Sequence, residues 1–385
     1  MGILFPPEDD DLYSDIPSHK AFTRAYLSTV TADLGQDNFL TCPLGILFTL
    51  GILLGSGGAE GRTGYQIGKT MRLRSTYCSW DSSDAEEKAK SLYKELNDSL
   101  TSEKTFLNEK EEKVVRISTG IFVQNNYEVE RSFNESIEND FEGELKQVDF
   151  LNPTNATLEI NDWVDQQSNG LLKKFFIDDI PDDTAMILVN VFYFRDFWES
   201  PFEPHYTRKE NFDISPNHQI TVHMMTQDAV MMYGKFEDEG FEIVSKSLNN
   251  TRFSFVIVLP LEKWSLNGSM ELLNGNKVLS EYVKNLKETT VSLRLPKFTL
   301  KNTLDLVPTL KSIGVVDLFD PVKADLSDSD EPRKNTSVQI GNTVLGKSDH
   351  NNIDWKSLSL AVVWLCRSIL DSLSAEMTSI DNEVS

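Results

Sequence analysis

The first third of the chain carries apolar residues at helical spacing. In "SHKAFTRAYLSTVTADL", the residues Phe22, Tyr26, Leu27 and Val30 recur three and four positions apart, which predicts one buried helical face. "CPLGILFTLGILLG" is apolar all round, which is typical of a helix buried on every side. "SSDAEEKAKSLYKELNDSL" opens with the pattern of a capping box and predicts a surface helix.

The later part of the chain contains strand-like runs. "RISTGIFVQ", "MILVNVFYFRDFW" and "RFSFVIVLP" are rich in β-branched and aromatic residues. "VSLRLPKFTL" alternates Val291, Leu293 and Leu295 with polar residues, as a half-buried strand does. Because no repeat and no long linker separates the helical from the strand-like segments, the pattern predicts one large α+β domain.

Composition narrows the class of protein. The 385 residues are 39% hydrophobic and 25% charged, which indicates a globular chain with a sizeable core. The net charge of −23 argues against a nucleic-acid partner, since phosphate binding needs clustered Lys and Arg. Three scattered cysteines suggest neither a disulfide framework nor a metal site. The N-terminus has no basic start and no apolar stretch of signal-peptide length, so we expect no conventional secretion signal.

Motifs for catalysis are missing from the sequence. The five histidines share no motif, and the chain has no G-x-S-x-G, H-E-x-x-H or P-loop pattern. "LGSGGAEGRTG" resembles a phosphate-binding loop, but Glu60 stands where the third glycine belongs and the run follows a helix, so a turn is expected. We therefore predict no enzyme, no catalytic residue, no cofactor and no metal.

Seven segments in sequence order carry a resemblance to one family. "LVNVFYFRDFWESPF" resembles the serpin signature Asn-Ala-x-Tyr-Phe-Lys-Gly-x-Trp before Pro-Phe, and "NFLTCPLGILFTL" resembles the buried second helix of serpins. The other similar segments are "GAEGRTGYQI", "INDWVDQQSNGLLKKFF", "TVHMMTQD", "LRLPKFTL" and "LKSIGVVDLF…ADLSDSD". The resemblance runs from about residue 12 to residue 345.

This resemblance implies a fold and a mechanism. Serpins are α+β domains of three β-sheets and eight or nine helices, and most inhibit serine proteases. Their exposed reactive loop is cleaved, then inserts as a new strand into the central sheet and carries the protease with it. The family would place Trp198 where the sheet first opens and Asn190 near its centre, although core packing alone is the alternative for both. Cys42 and Gly45 stand where the family has serines, so the polar cluster that governs sheet opening is thinned.

The end of the chain departs from the family. We expect a serpin body over 1–346 and a non-family tail over 347–385. After Gly346 we find no Glu-rich and Ala-rich hinge, no reactive loop and no His-Pro-Phe pattern, so no reactive bond can be named. The closing strands and the reactive loop of a serpin are thus predicted to be missing.

The tail contains one apolar run, from Leu358 to Leu365. It is too short to span a bilayer and Arg367 follows it, so we expect no membrane anchor. Its composition favours an outer helix with Ser357 as N-cap, and the tail is predicted to add no strand to the central or back sheet. The favoured interpretation is a C-terminus from alternative splicing or a mistaken exon boundary; the alternative is a diverged native terminus that packs on the core.

Three functional hypotheses follow. The first is a serine-type endopeptidase inhibitor of the serpin family that is inactive in this chain because hinge and loop are missing. The second is a non-inhibitory serpin-like binding or regulatory isoform, and the third, a hydrolase, conflicts with the motif order. The expected partner is a serine protease, and unpaired sheet edges predict self-association. Family resemblance implies the extracellular space; the lack of a signal makes cytoplasmic location or unconventional release the alternative.

Overall fold

Eight α-helices, two 3-10 turns and fourteen β-strands lie within the described part of the chain. The computed structural model describes residues 18–34, 41–73, 82–102, 104–107, 110–113, 115–126, 129–168, 170, 174–182, 184, 186–215, 217–249, 253–262, 279–320, 322–325, 341–348, 352–358 and 365–366.

The helices are α1 (Ser18–Leu34), α2 (Pro43–Gly55), α3 (Gly61–Thr70), α4 (Ser82–Thr101), α5 (Arg131–Asp140), α6 (Pro153–Gln167), α7 (Leu279–Lys284) and α8 (Val307–Ser312), with 3-10 turns at Pro204–Tyr206 and Asp317–Phe319. Three of the helices, α1, α2 and α4, coincide with the segments predicted to be helical. Every residue of α2 except Leu44 is buried, which confirms the prediction from its all-round apolar sequence. The Gly-rich run contains a turn between α2 and α3, as expected; Gly57 in the turn and Gly61, the first residue of α3, have positive φ.

The strands form three sheets. They are β1 (Lys104–Leu107), β2 (Lys110–Lys113), β3 (Val115–Gln124), β4 (Glu144–Val148), β5 (Met186–Phe197), β6 (Arg208–Ser215), β7 (His218–Phe236), β8 (Phe241–Ser247), β9 (Phe253–Pro260), β10 (Lys287–Pro296), β11 (Phe298–Asp305), β12 (Gly341–Ser348), β13 (Asn352–Leu358) and β14 (Leu365–Cys366). Strands β1 and β2 pair as a small ribbon. The back sheet runs in the order β10-β7-β8-β9-β14 with β6 beside β7, and the central sheet in the order β11-β12-β13-β5-β3-β4.

The central sheet is buried on both faces over its middle strands. On one face, Phe192 and Phe194 of β5 belong to the main core, which also contains residues of α1 to α4 and of the back sheet. On the other face, Val189 and Val191 pack in a second cluster with Trp163 of α6. Alternate residues of β5 therefore serve two different cores, which explains why most of its residues are apolar.

The structure corrects the prediction that the tail adds no strand to the central sheet. Strand β13, Asn352–Leu358, lies between β12 and β5 and is antiparallel to both. Ser357 is inside this strand and pairs with Phe192, so the prediction of a helix with Ser357 as N-cap is wrong. Hydrogen bonding to two neighbouring strands outweighs the weak helix preference of this segment.

The tail also reaches the back sheet. Leu365 pairs with Ser254 and Cys366 with Phe253 at the outer edge of β9. The prediction that the tail adds no strand to the back sheet is therefore wrong at these two positions. The other residues of the predicted outer helix lie outside the described residues. No helix among the described ranges is long and apolar enough to cross a membrane.

Candidate functional site at the central sheet

The position between β12 and β5 is the site to which the family resemblance directs attention. Strand β13 forms six residue pairs with β12 and seven with β5. Its pairing with β5 runs from Asn352 opposite Phe197 to Leu358 opposite Val191. The edges of β12 and β5 that face each other are therefore already hydrogen-bonded over this length.

Trp198 lies one position after the end of β5 and joins the central sheet to the back sheet. It forms an isolated antiparallel bridge with Leu248, and its side chain is 2% exposed. The rings of Phe202 and Phe255 meet it edge-on, with centroids at 5.8 and 5.6 Å. Trp198 thus packs at the junction of the two sheets, one position beyond the end of β5.

A buried lysine accompanies this aromatic cluster. The Lys246 Nζ lies 5.3 Å from the ring centroid of Trp198 and 4.6 Å from that of Phe202. It donates hydrogen bonds to the Ser200 carbonyl at 2.9 Å and to Gln227 Oε1 at 2.5 Å. Burial lowers the pKa of Lys246 to about 8. The ammonium group therefore connects the segment after β5 to two strands of the back sheet.

Asn190 lies in the middle of β5 and is fully buried. Its Nδ2 donates to Thr119 Oγ1 of β3 at 3.2 Å, while its Oδ1 is buried without a hydrogen-bond partner. The described pairing of β13 ends at Val191, so it does not reach the neighbouring Asn190. A buried amide with one unsatisfied acceptor is a weak point in the sheet, because that acceptor has lost its water.

Cys42 and Gly45 form a helix cap. The thiol of Cys42 accepts a hydrogen bond from the backbone N–H of Gly45 at 3.0 Å, at the start of α2. Burial raises the pKa of this thiol to about 12, so it stays protonated at neutral pH. The thiol therefore supplies the capping acceptor that a serine hydroxyl would supply at this position.

The four predicted positions do not form one cluster. Cys42 contacts Gly45, while Trp198 contacts the aromatic and Lys246 cluster. Asn190 and Trp198 lie eight positions apart along one extended segment, so roughly 26 Å separate them. The arrangement consists of separate contacts along and beside the sheet, and within the described residues no group of His, Cys, Asp or Glu is placed to hold a metal ion.

Sequence reasoning missed Lys246 and Arg195. Each lies in a strand segment that also carries an acidic residue, Glu242 in "EIVSKSL" and Asp196 in "VFYFRDF". A charged residue in a strand usually faces solvent, so only the tertiary structure shows that Lys246 is 3% exposed.

Comparisons with known proteins agree with this architecture. The serpin (serine protease inhibitor) family model matches residues 17–345. The solved structure of a serpin from the trematode Schistosoma haematobium is 78% identical, covers 88% of each chain and superposes with a TM-score of 0.80. The serpin from Schistosoma mansoni is 71% identical, covers 86% of this chain and 90% of its own, and also has a TM-score of 0.80.

Curated relatives are more distant. Neuroserpin from Gallus gallus is 27% identical over 74% of this chain and 67% of its own length. Serpin B4 from Homo sapiens is 28% identical over 76% of this chain and 75% of its own. The described body, the family model and these relatives agree: the chain belongs to the serpin family.

Proposed function

We propose that this serpin is directed at serine proteases, and that this polypeptide does not trap them covalently. At the level of the family, its function is of the protease-inhibitor type and not that of an enzyme. The observation that supports the proposal is β13, which lies between β12 and β5. The expected partner is a serine protease in the extracellular space.

The physical reason lies in strand addition. Insertion of a cleaved loop between two strands is driven by new backbone hydrogen bonds and by side chains entering the sheet. Here β12 and β5 already bond to β13, so an incoming strand would first have to remove it. The net free energy gained by inserting another strand would then be small, because the hydrogen bonds of β13 would be lost. A protease that attacks the chain should complete the hydrolysis and leave.

A protease challenge tests this proposal. The purified chain is incubated with trypsin-, chymotrypsin- and elastase-like enzymes, and the products are separated in denaturant. We expect cleavage fragments and no covalent band, while an inhibitory serpin with a known target gives the band in the same assay. A denaturant-stable band that disappears when the nucleophile of the protease is blocked would overturn the proposal.

A further inference from the structure

One stretch of this acidic chain carries only positive charge. The chain has 60 Asp and Glu residues against 37 Lys and Arg, yet residues 61–80 contain four Lys or Arg and no Asp or Glu. Residues 306–316 likewise contain Lys311 and no acidic residue. A local charge opposite in sign to that of the whole molecule marks a surface whose field attracts different partners from the rest of the protein.

Helix α3 presents these charges to solvent. Arg62, Tyr65 and Lys69 recur three and four positions apart and are all exposed, so they form a stripe along one face of the helix. Arg62 and Lys69 are two turns apart, which separates their backbone positions by roughly 10 Å. Arg72, which is also exposed, comes two positions after the end of the helix. The outer face of α3 is therefore basic and carries one aromatic ring.

The segment after α8 is bound to α3 and extends this surface. Thr70 Oγ1 donates a hydrogen bond to the Ile313 carbonyl at 3.2 Å, and Gln66 Oε1 accepts one from the backbone N–H of Val316 at 2.9 Å. Lys311 lies in the last turn of α8, just before this segment, and is exposed. These contacts add Lys311 and Val316 to the outer face of α3. Arg62, Tyr65, Lys69, Lys311 and Val316 are called the basic face below.

The protein neutralises only one end of the basic face. Arg62 Nε lies 3.0 Å from Oδ2 of the buried Asp317, and the backbone N–H of Asp325 donates to Thr63 Oγ1 in the first turn of α3. Among the residues that the structure describes, no acidic side chain forms an ion pair with Lys69 or Lys311. These two lysines therefore supply positive charge that is available to a partner.

We propose that the basic face binds an acidic segment of a partner protein. The net charge of −23 repels a nucleic acid or another polymer that carries a charge on every unit, and a few cations do not offset that repulsion. Tyr65 and Val316, each 41% exposed, offer apolar contact beside the lysines, and tyrosine is enriched in protein interfaces. A short segment with acidic and apolar residues matches both features. The basic face contains no strand of the central sheet, so this binding goes beyond the proposed function.

Binding of a labelled peptide to the full chain tests the proposal. The probe is a fluorescein-labelled peptide of about ten residues in which pairs of glutamates flank single leucines, and binding is measured by fluorescence anisotropy. We expect binding at about 0.05 M salt that is at least about tenfold weaker at about 0.5 M, because salt screens exposed charges. The same peptide with glutamine in place of glutamate should not bind.

Paired variants separate the basic face from net charge. The double variant Lys69→Gln and Lys311→Gln should weaken binding of the glutamate peptide at low salt at least about tenfold. The matched control, Lys174→Gln and Lys287→Gln, removes the same charge at two exposed lysines elsewhere and should weaken binding less than about twofold. Tyr65→Ser, which changes no charge, should weaken binding severalfold and leave its salt dependence unchanged.

Three outcomes would overturn the proposal. The first is no binding by the unsubstituted protein, and the second is an equal loss in the two double variants, because the peptide would then respond to net charge alone. The third is displacement of the peptide by a lower concentration of duplex DNA or dextran sulfate, which would assign the basic face to a polyanion. A covalent complex with a protease would overturn the proposed function and leave peptide binding at the basic face untouched.

Discussion

At the residue scale, His19 shows how burial without a partner creates sensitivity to acid. It lies in the first turn of α1, is 5% exposed, and its Nε2 is buried without a hydrogen-bond partner. Burial, with a smaller contribution from Lys20, lowers its pKa from 6.5 to about 4. The folded state therefore keeps His19 neutral where the unfolded chain is already protonated.

This difference predicts a loss of stability on acidification. Between pH 6.5 and 4 the unfolded chain binds one more proton at His19, so the free energy of unfolding falls as the pH falls through that window. For this residue the loss between pH 7.5 and 5 is about 2 kcal/mol. When urea unfolding is measured at pH 7.5 and at pH 5, the free energy of unfolding of His19→Gln should fall by about 2 kcal/mol less than that of the unsubstituted protein.

A control at an exposed histidine isolates the effect of burial. The side chain of His205 is 66% exposed, so His205→Gln serves as the control for replacing a histidine at the surface. Equal acid sensitivity of His19→Gln and the unsubstituted protein would contradict the assignment to His19.

At the scale of elements, Trp163 is one of several buried residues by which α6 packs on the central sheet. The Trp163 ring meets Phe122 of β3 edge-on at 5.4 Å, and its Nε1 donates to Glu144 Oε2 of β4 at 2.7 Å. Gly120 of β3 lies directly under this ring. The helix approaches the sheet closely because this position has no side chain.

Adding a methyl group at Gly120 should therefore move the helix. A Cβ there would lie 2.8 Å from two ring atoms of Trp163 and 3.0 Å from Phe122, all of them rigid. We expect Gly120→Ala to lower the free energy of unfolding by about 1–3 kcal/mol. Gly51→Ala is the matched control, since its methyl meets only the flexible Cε of Met71 at 3.3 Å. Similar urea midpoints for the two variants would show that α6 adjusts without cost.

At the scale of the whole molecule, the described residues pair with only part of the outer edge of the back sheet. Strand β9 pairs with β8 along Ser254–Pro260, but its other edge is paired only at Phe253 and Ser254 within the described residues. Strand β9 is almost entirely apolar and mostly buried. An incompletely paired apolar strand is in general a template for another chain, while the net charge of −23 opposes association.

The balance between these two effects predicts association that depends on salt. Raising the salt concentration from about 0.05 to 0.5 M shortens the range of charge repulsion severalfold and leaves strand pairing intact. We expect dimers or larger species to increase with salt in size-exclusion chromatography with light scattering. A single monomeric species at both salt concentrations, with a sharp and reversible thermal transition, would contradict this prediction.

The sequence alone determined the features that depend on local pattern and on motif order. The all-round apolar run predicted the buried helix α2, and the alternation before Pro296 predicted that Leu293 and Leu295 of β10 are buried. Seven motifs in order predicted the family. These features could be predicted because helical and strand periodicity, and the order of motifs, are written in neighbouring residues.

Only the tertiary structure decided that Lys246 is buried and that the first part of the tail forms a strand of the central sheet. The letters "NIDWKSL" favour a strand only weakly, and the apolar run that follows suggested a helix. Residues 352–358 form a central strand because they pair with β12, which is close in the chain, and with β5, which lies about 160 positions earlier. Strand pairing is satisfied by distant partners, so its energy is absent from any local window of sequence.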